Sequence, residues 1–258
     1  MTSISYSRDG SVGTIEMNAP PANSYGIALM RELDDAVQAA EHDSDCRVVI
    51  VRSALTGFFC GGADIKQFRA NSPRDNIDLV TFAHETLSRP AQSERIYIAE
   101  IAGHALGGGL EIALACDLRF AARGDYRLGL PEVTLGLLPG NGGTQRLTAL
   151  VGVSKALELM MVGTRLSPED ALRLGIVNRL VAAAELRSHT LAFATALGAS
   201  ATLAVGKIKR SVYDGCCPSL QAGLSVERKN IASLFFSSDA SEGFAAFTER
   251  RQPRFSGK

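Results

Sequence analysis

The sequence predicts an α/β fold that gives way to an all-helical C-terminal region. Three observations carry this. Short apolar runs rich in β-branched residues, such as RVVIVR at 47–52, have the character of strands buried on both faces. Between such runs lie stretches with apolar residues at helical spacing, residues 25–42 first among them. From Ala184 down to Arg251 every signal is helical, so the alternation stops. The boundary is placed at Thr190, giving a core over 1–189 that carries the functional residues and a helical region over 190–258.

Taken in order, residues 3–6 and 12–17 flank Asp9-Gly10, a hairpin signature, and Asn18-Ala19-Pro20-Pro21 ends the second strand. Residues 25–42 place Leu29, Met30, Leu33, Val37 and Ala40 on one helical face, with Arg31, Glu32, Asp34 and Asp35 between them. The strand at 47–52 follows, and strand, helix, strand implies a parallel pair with a right-handed crossover. Residues 53–63, SALTGFFCGGA, are expected to be a loop anchored by Phe58 and Phe59. Residues 66–93 are polar, broken at Asn71-Ser72-Pro73, and are expected to be a mobile segment lining a pocket. A strand over 96–102 leads into Gly107-Gly108-Gly109, and 110–116 has the composition of a helix. Residues 153–162 are helical. Ser167-Pro168-Glu169-Asp170 starts another helix, with Ser167 as N-cap, which stops near Gly175; a short strand is expected over 176–181.

Composition narrows the function classes. The chain has 258 residues, 46% hydrophobic and 21% charged, enough for a sizeable core. Its 27 basic and 27 acidic residues cancel, which offers no electrostatic reason to expect nucleic acid or membrane as a partner. Cys46, Cys60, Cys116, Cys216 and Cys217 are irregularly spaced and fit reduced thiols better than a disulfide framework. The four histidines have no metal-binding spacing, so no metal is expected. The N-terminus lacks a basic segment followed by an apolar run, and no apolar run approaches the ~20 residues of a membrane span. A cytoplasmic protein is the expectation.

The stretch 103–146 holds the candidate chemistry. Strand, glycine turn, helix leaves bare backbone N–H groups where an anion or a developing oxyanion can reach them. Glu111 lies in the first turn of the following helix, and Glu132 comes about twenty residues later, after Pro131. No acidic residue ends a second strand at the spacing of a dinucleotide fingerprint. Glycines before a helix can serve packing alone, and Glu111 there can serve the helix dipole alone.

Taken together, Gly62-Ala63-Asp64-Ile65-Lys66, Ala105-Leu106-Gly107-Gly108-Gly109-Leu110-Glu111, Pro131-Glu132-Val133 and the run LGLLPGNGGTQRL at 135–147 resemble the crotonase superfamily, and within it the enoyl-CoA hydratases. The likeness extends to Glu242-Gly243-Phe244-Ala245-Ala246-Phe247 and so covers essentially the whole chain. It implies a core of ββα turns wound as a spiral, although no internal period in the sequence points to one, and C-terminal helices that build a homotrimer or a dimer of trimers. It implies addition of water across the C2=C3 bond of a 2-enoyl-CoA thioester. The backbone N–H groups of Ala63 and Gly108 would hold the thioester oxygen, Glu111 would deprotonate the water, and Glu132 would deliver the proton to the α-carbon. Coenzyme A, part of the substrate and no separate cofactor, would be met by Ala63, Asp64, Ile65, Lys66, Gly108 and Arg250. Asp64 is further read as shaping its loop and Asp117 as capping a strand start, neither of them catalytic. Departures at Arg95-Ile96-Tyr97, Gly103 and Pro20-Pro21-Ala22-Asn23-Ser24 bear on the acyl chain, away from a short straight one, rather than on the reaction type. The same resemblance leaves open an enoyl-CoA isomerase or a dehydratase. RNA binding, which one hydratase group performs through a Lys-rich helix, is disfavoured: the helix at 25–42 has Arg31 as its only Lys or Arg and four acidic residues.

Overall fold

A computed structural model describes residues 3–216 and 219–257; Cys217 lies outside these. The first hairpin pairs β1 (Ile4–Asp9) with β2 (Val12–Met17), and α1 (Ile27–His42) then buries Met30, Leu33, Val37 and Ala40 as the periodicity predicts. β3 (Val48–Ser53) returns parallel to β2, completing the expected crossover. β4 (Gly57–Cys60) comes next, followed by α2 (Ile65–Ala70) and α3 (Pro73–Gln92).

The chain then repeats one unit. β5 (Ile96–Ile101), β6 (Gly103–Leu106) and α4 (Gly108–Ala115) are followed by β7 (Leu118–Ala122), β8 (Leu128–Gly129), a 3₁₀ turn (Glu132–Leu135) and α5 (Gly143–Val151). α6 (Val153–Val162), β9 (Arg165–Leu166), α7 (Pro168–Arg173) and β10 (Arg179–Val181) close the core. A 3₁₀ turn at Ala183–Glu185 leads into α8 (Leu186–Gly198), α9 (Thr202–Gly215), α10 (Leu220–Leu234) and α11 (Ser238–Glu249).

Two sheets result. One runs β1-β2-β3-β5-β7-β10, parallel beyond its first hairpin; the other runs β4-β6-β8-β9, with only β8 and β9 antiparallel. From β3 to β8, each turn of chain gives one strand to each sheet before its helix, so the ββα spiral is real. Unequal strands and insertions of unequal length hide its period in the sequence.

Three expectations change. Residues 57–60 form a strand and not part of a loop, because Gly103 lets β6 lie directly against β4: a Cβ on Gly103 would sit 2.3 Å from the Gly57 carbonyl carbon. Residues 66–93 are two helices. Asp64 caps the first by accepting from Lys66 N and Gln67 N, and Ser72 with Asp75 forms a capping box on the second. The last core strand spans only Arg179–Val181, because Ile176 and Val177 donate their N–H groups back to Ala171. The boundary placed at Thr190 falls inside α8, and α8 packs against β2, β3, β5 and β7.

α9 is tied to the core by one buried lysine. Lys209 Nζ donates to the Pro90 and Arg95 carbonyls, each at 2.6 Å, and to Asp117 Oδ2 at 2.8 Å. Asp117 also accepts from Tyr97 N at 2.7 Å, where β5 begins, in line with the strand-capping role expected of it. Replacing Lys209 with Met would leave the Asp117 charge and two carbonyls without their donor. The expected loss is about 3 kcal/mol of stability, read as a lower urea midpoint at unchanged m-value.

Candidate active site

A cavity of about 650 Å³ opens beside the glycine turn. Its walls include Phe68, Val80 and Leu106 with Leu137 and Leu138 nearer solvent. α3 contributes Asn76, Ile77, Val80 and Thr81, so the segment expected to line a pocket does so as an ordered, capped helix. Ala63, Gly108, Glu111 and Glu132 all border this one space.

The glycines have separate reasons. Gly107 has φ +54°, a conformation that favours residues without Cβ, and a Cβ there would lie 3.1 Å from Glu132 Oε1. A Cβ on Gly108 would fall 2.0 Å from Tyr25 Oη, and one on Gly109 2.0 Å from the Cys60 carbonyl oxygen. The turn therefore brings α4 onto β4 and exposes the first N–H of the helix to the cavity. Opposite it, the Tyr25 backbone donates to Gly62 O and accepts from Asp64 N, each at 2.9 Å, which leaves the intervening Ala63 N–H unused by that bridge. Among the described residues neither Ala63 N nor Gly108 N donates to another group of the chain.

The two carboxyls sit in unlike surroundings. Glu111 is buried, and its Oε1 accepts from Asn141 N at 2.7 Å and Gly143 N at 2.8 Å. Burial pushes its pKa up, and those two amides pull against it. Gly143 must lack a side chain here, since its Cβ would lie 2.9 Å from Glu111 Oε1. Glu132 has only its own backbone N–H to set against burial, and its Oε2 is buried without a partner. Burial, with the negative charge of Glu111 added, moves its pKa up to about 7. Near neutrality Glu132 thus holds a proton readily while Glu111 has amides arranged for its anion, which is the division an acid and a base require.

Of the other residues singled out in the sequence, Asp64 is a helix cap and Ile65 borders the cavity. Lys66 is exposed and outside the cavity wall. Arg250 is exposed at the end of α11 with φ +55°, also outside that wall. Phe59 is fully buried, and Phe58 stacks on His104 with ring centroids 5.1 Å apart; both serve packing, as expected. Sequence reasoning assigned nothing to Tyr25, Asn141 or Arg146. Arg146 donates to Asn141 O and Leu87 O, each at 2.7 Å, and so holds the loop that carries the amides for Glu111. The signal available was the run at 139–146 itself, in which Asn141 stands among three glycines and Thr144, Gln145 and Arg146 follow them.

The sequence model of the enoyl-CoA hydratase/isomerase family matches residues 7–258. A Bacillus subtilis protein named a probable enoyl-CoA hydratase is 36% identical, with all of both chains covered. A mouse protein, enoyl-CoA hydratase domain-containing protein 2, mitochondrial, is 40% identical over 95% of this chain and 84% of its own. Among solved structures, an enoyl-CoA hydratase of Geobacillus kaustophilus superposes with a TM-score of 0.98 at 40% identity, covering 100% of this chain and 98% of its own. One from Bacillus anthracis gives 0.95 at 34% identity, covering 99% and 100%.

The raised pKa of Glu132 makes a stability prediction. Unfolded, the group ionises near 4.5; folded, near 7. The folded chain keeps the proton that the unfolded chain releases, so stability is lost as pH rises through this window. Glu132→Gln removes the loss. Allowing for the side chain's partial exposure, the variant should exceed the parent by ~1–2 kcal/mol at pH 8 and match it near pH 4.5, by thermal or urea melts.

Proposed function

Since the chain belongs to the enoyl-CoA hydratase/isomerase family, we propose that it hydrates a 2-enoyl-CoA thioester to the 3-hydroxyacyl-CoA. The observation that carries this reading is the pair of carboxyls bordering one cavity with unequal hydrogen-bond support for their charged forms. Glu111, its anion favoured by two amides, takes a proton from water as the water oxygen bonds to C3. The C2=C3 π electrons move toward the thioester, and the oxygen gains negative charge. The Ala63 and Gly108 N–H groups receive it, and each such donor is worth ~3 kcal/mol in a dry site. Gly108 adds the positive end of α4. The enolate then takes the Glu132 proton at C2, and the roles reverse for dehydration.

Isomerisation of a 3-enoyl thioester can run on one carboxylate, so two in a shared cavity favour hydration. Coenzyme A is part of the substrate in this reading. Asp64, Ile65, Lys66 and Arg250 meet it at the surface, Arg250 from another subunit. A homotrimer, or a dimer of trimers, fits the exposed apolar side chains of the C-terminal helical region: Phe236, between α10 and α11, is 93% exposed and Phe247 87%. No single helix among the described residues is long and apolar enough to cross a membrane, and the proposed setting is cytoplasmic.

The test is turnover of a panel of enoyl-CoA thioesters differing in chain length and branching, followed by loss of the conjugated chromophore. Glu111→Gln and Glu132→Gln should each lower kcat by ~10²–10⁴. A Glu111→Gln enzyme of full activity would overturn the assignment. With pH, hydration should fall on the alkaline side as Glu132 loses its proton around pH 7.

A further inference from the structure

Tyr25 has a use for its lone pair but, among the described residues, none for its proton. The side chain is buried, borders the cavity, and its Oη accepts a hydrogen bond from Asn141 Nδ2. Among the described residues no group of the chain accepts the phenolic proton. A buried hydroxyl without an acceptor is unfavourable unless a ligand or water supplies one. The orientation of Asn141 supports this assignment. As placed, its Oδ1 is buried without a partner. Turning the carboxamide over would strand an NH₂ group with two donors in the same spot.

The hydroxyl is held beside one of the two residues whose N–H groups are assigned to the oxyanion. Oη rests against Gly108, at 2.0 Å from the position a Cβ there would take. The backbone of the same residue is bonded to Gly62 and Asp64, the neighbours of Ala63. One residue thus braces both N–H groups assigned to the oxyanion. The preceding turn is fixed in its own right: buried Asn23 accepts from Ala19 N at 2.7 Å and donates to Ser53 Oγ at 2.8 Å and Phe59 O at 2.9 Å.

Resting on the hydratase reading, we propose that the Tyr25 hydroxyl is a third hydrogen-bond donor to the thioester oxygen, oriented by Asn141. Asn141 gives its proton to Oη, so the remaining lone pair and the O–H are turned toward the cavity. The donated bond also polarises the O–H and strengthens it as a donor. The same Asn141 donates its backbone N–H to Glu111, so one residue sets both the base and the extra donor.

The experiment uses the cinnamoyl thioester of coenzyme A, whose absorption moves to longer wavelength when its carbonyl is polarised. Tyr25→Phe keeps the ring over Gly108 and removes only the hydroxyl. It should shrink the red shift of the bound ligand and lower kcat/KM for hydration by about 10- to 100-fold, mostly through kcat. Asn141→Asp, whose carboxylate would capture the phenolic proton, should shrink the red shift with the tyrosine still in place; this second variant decides the matter if Tyr25→Phe does not fold. A Tyr25→Phe protein with the parental red shift, or with kcat/KM within about twofold of the parent, overturns the proposal. If the parent itself binds the ligand without a red shift, the fault lies in the oxyanion-hole reading and the proposal falls with its premise.

Discussion

The close approach of bare backbone at Gly107-Gly108-Gly109 is the constraint from which the rest follows. Three neighbours claim the space that three Cβ atoms would need: the Glu132 carboxyl, the Tyr25 hydroxyl and the Cys60 carbonyl. Packing alone requires Gly109, which lets α4 lie on β4. The other two glycines lie where the cavity, the second carboxyl and the helix N-terminus meet. A single side chain inserted here would separate the two sheets' contributions to the site.

Electrostatics is shaped by the same burial. An apolar cavity penalises any carboxylate within it, and the structure answers that penalty on one side only. Asn141 N and Gly143 N serve Glu111, in a loop held by Arg146 against α3. Glu132, at the start of a 3₁₀ turn, receives nothing comparable and keeps its proton to about pH 7. Two identical residue types thereby acquire different protonation habits, the main-chain amides of Asn141 and Gly143 serving one of them and the charge of that one opposing ionisation of the other.

The two-sheet spiral explains how residues so far apart in the chain share one space. Three successive turns, from β3 to β8, each send a strand to each sheet and then a helix, so the C-terminal ends of β4, β6 and β8 line up at one end of the smaller sheet. Ala63, Gly108 and Glu132 each follow one of these strands. The C-terminal helices attach from outside, with Lys209 and Asp117 as a buried clasp.

Much of this was legible in the residues alone. Helical spacing at 25–42, the β-branched run at 47–52, the Ser167-Pro168 helix start and the glycine turn are local signals, and local physics decides them. Glu111 and Glu132 were noticed beside turn residues, and the family resemblance gave them their catalytic roles. Where local signals were weak or absent, the reading fell short. β4 has only four residues and owes its existence to pairing with β6; α2 and α3 have polar sequences stabilised by caps. Tyr25 and Asn141 lie 116 positions apart, and nothing in either neighbourhood announces the other. The sequence by itself determined the strongly patterned strands and helices and which acidic residues adjoin bare backbone, because those depend on neighbours along the chain. Only the tertiary structure decided which carboxyl receives amides, which keeps its proton and which hydroxyl faces the cavity, because burial and hydrogen-bond supply depend on neighbours in space.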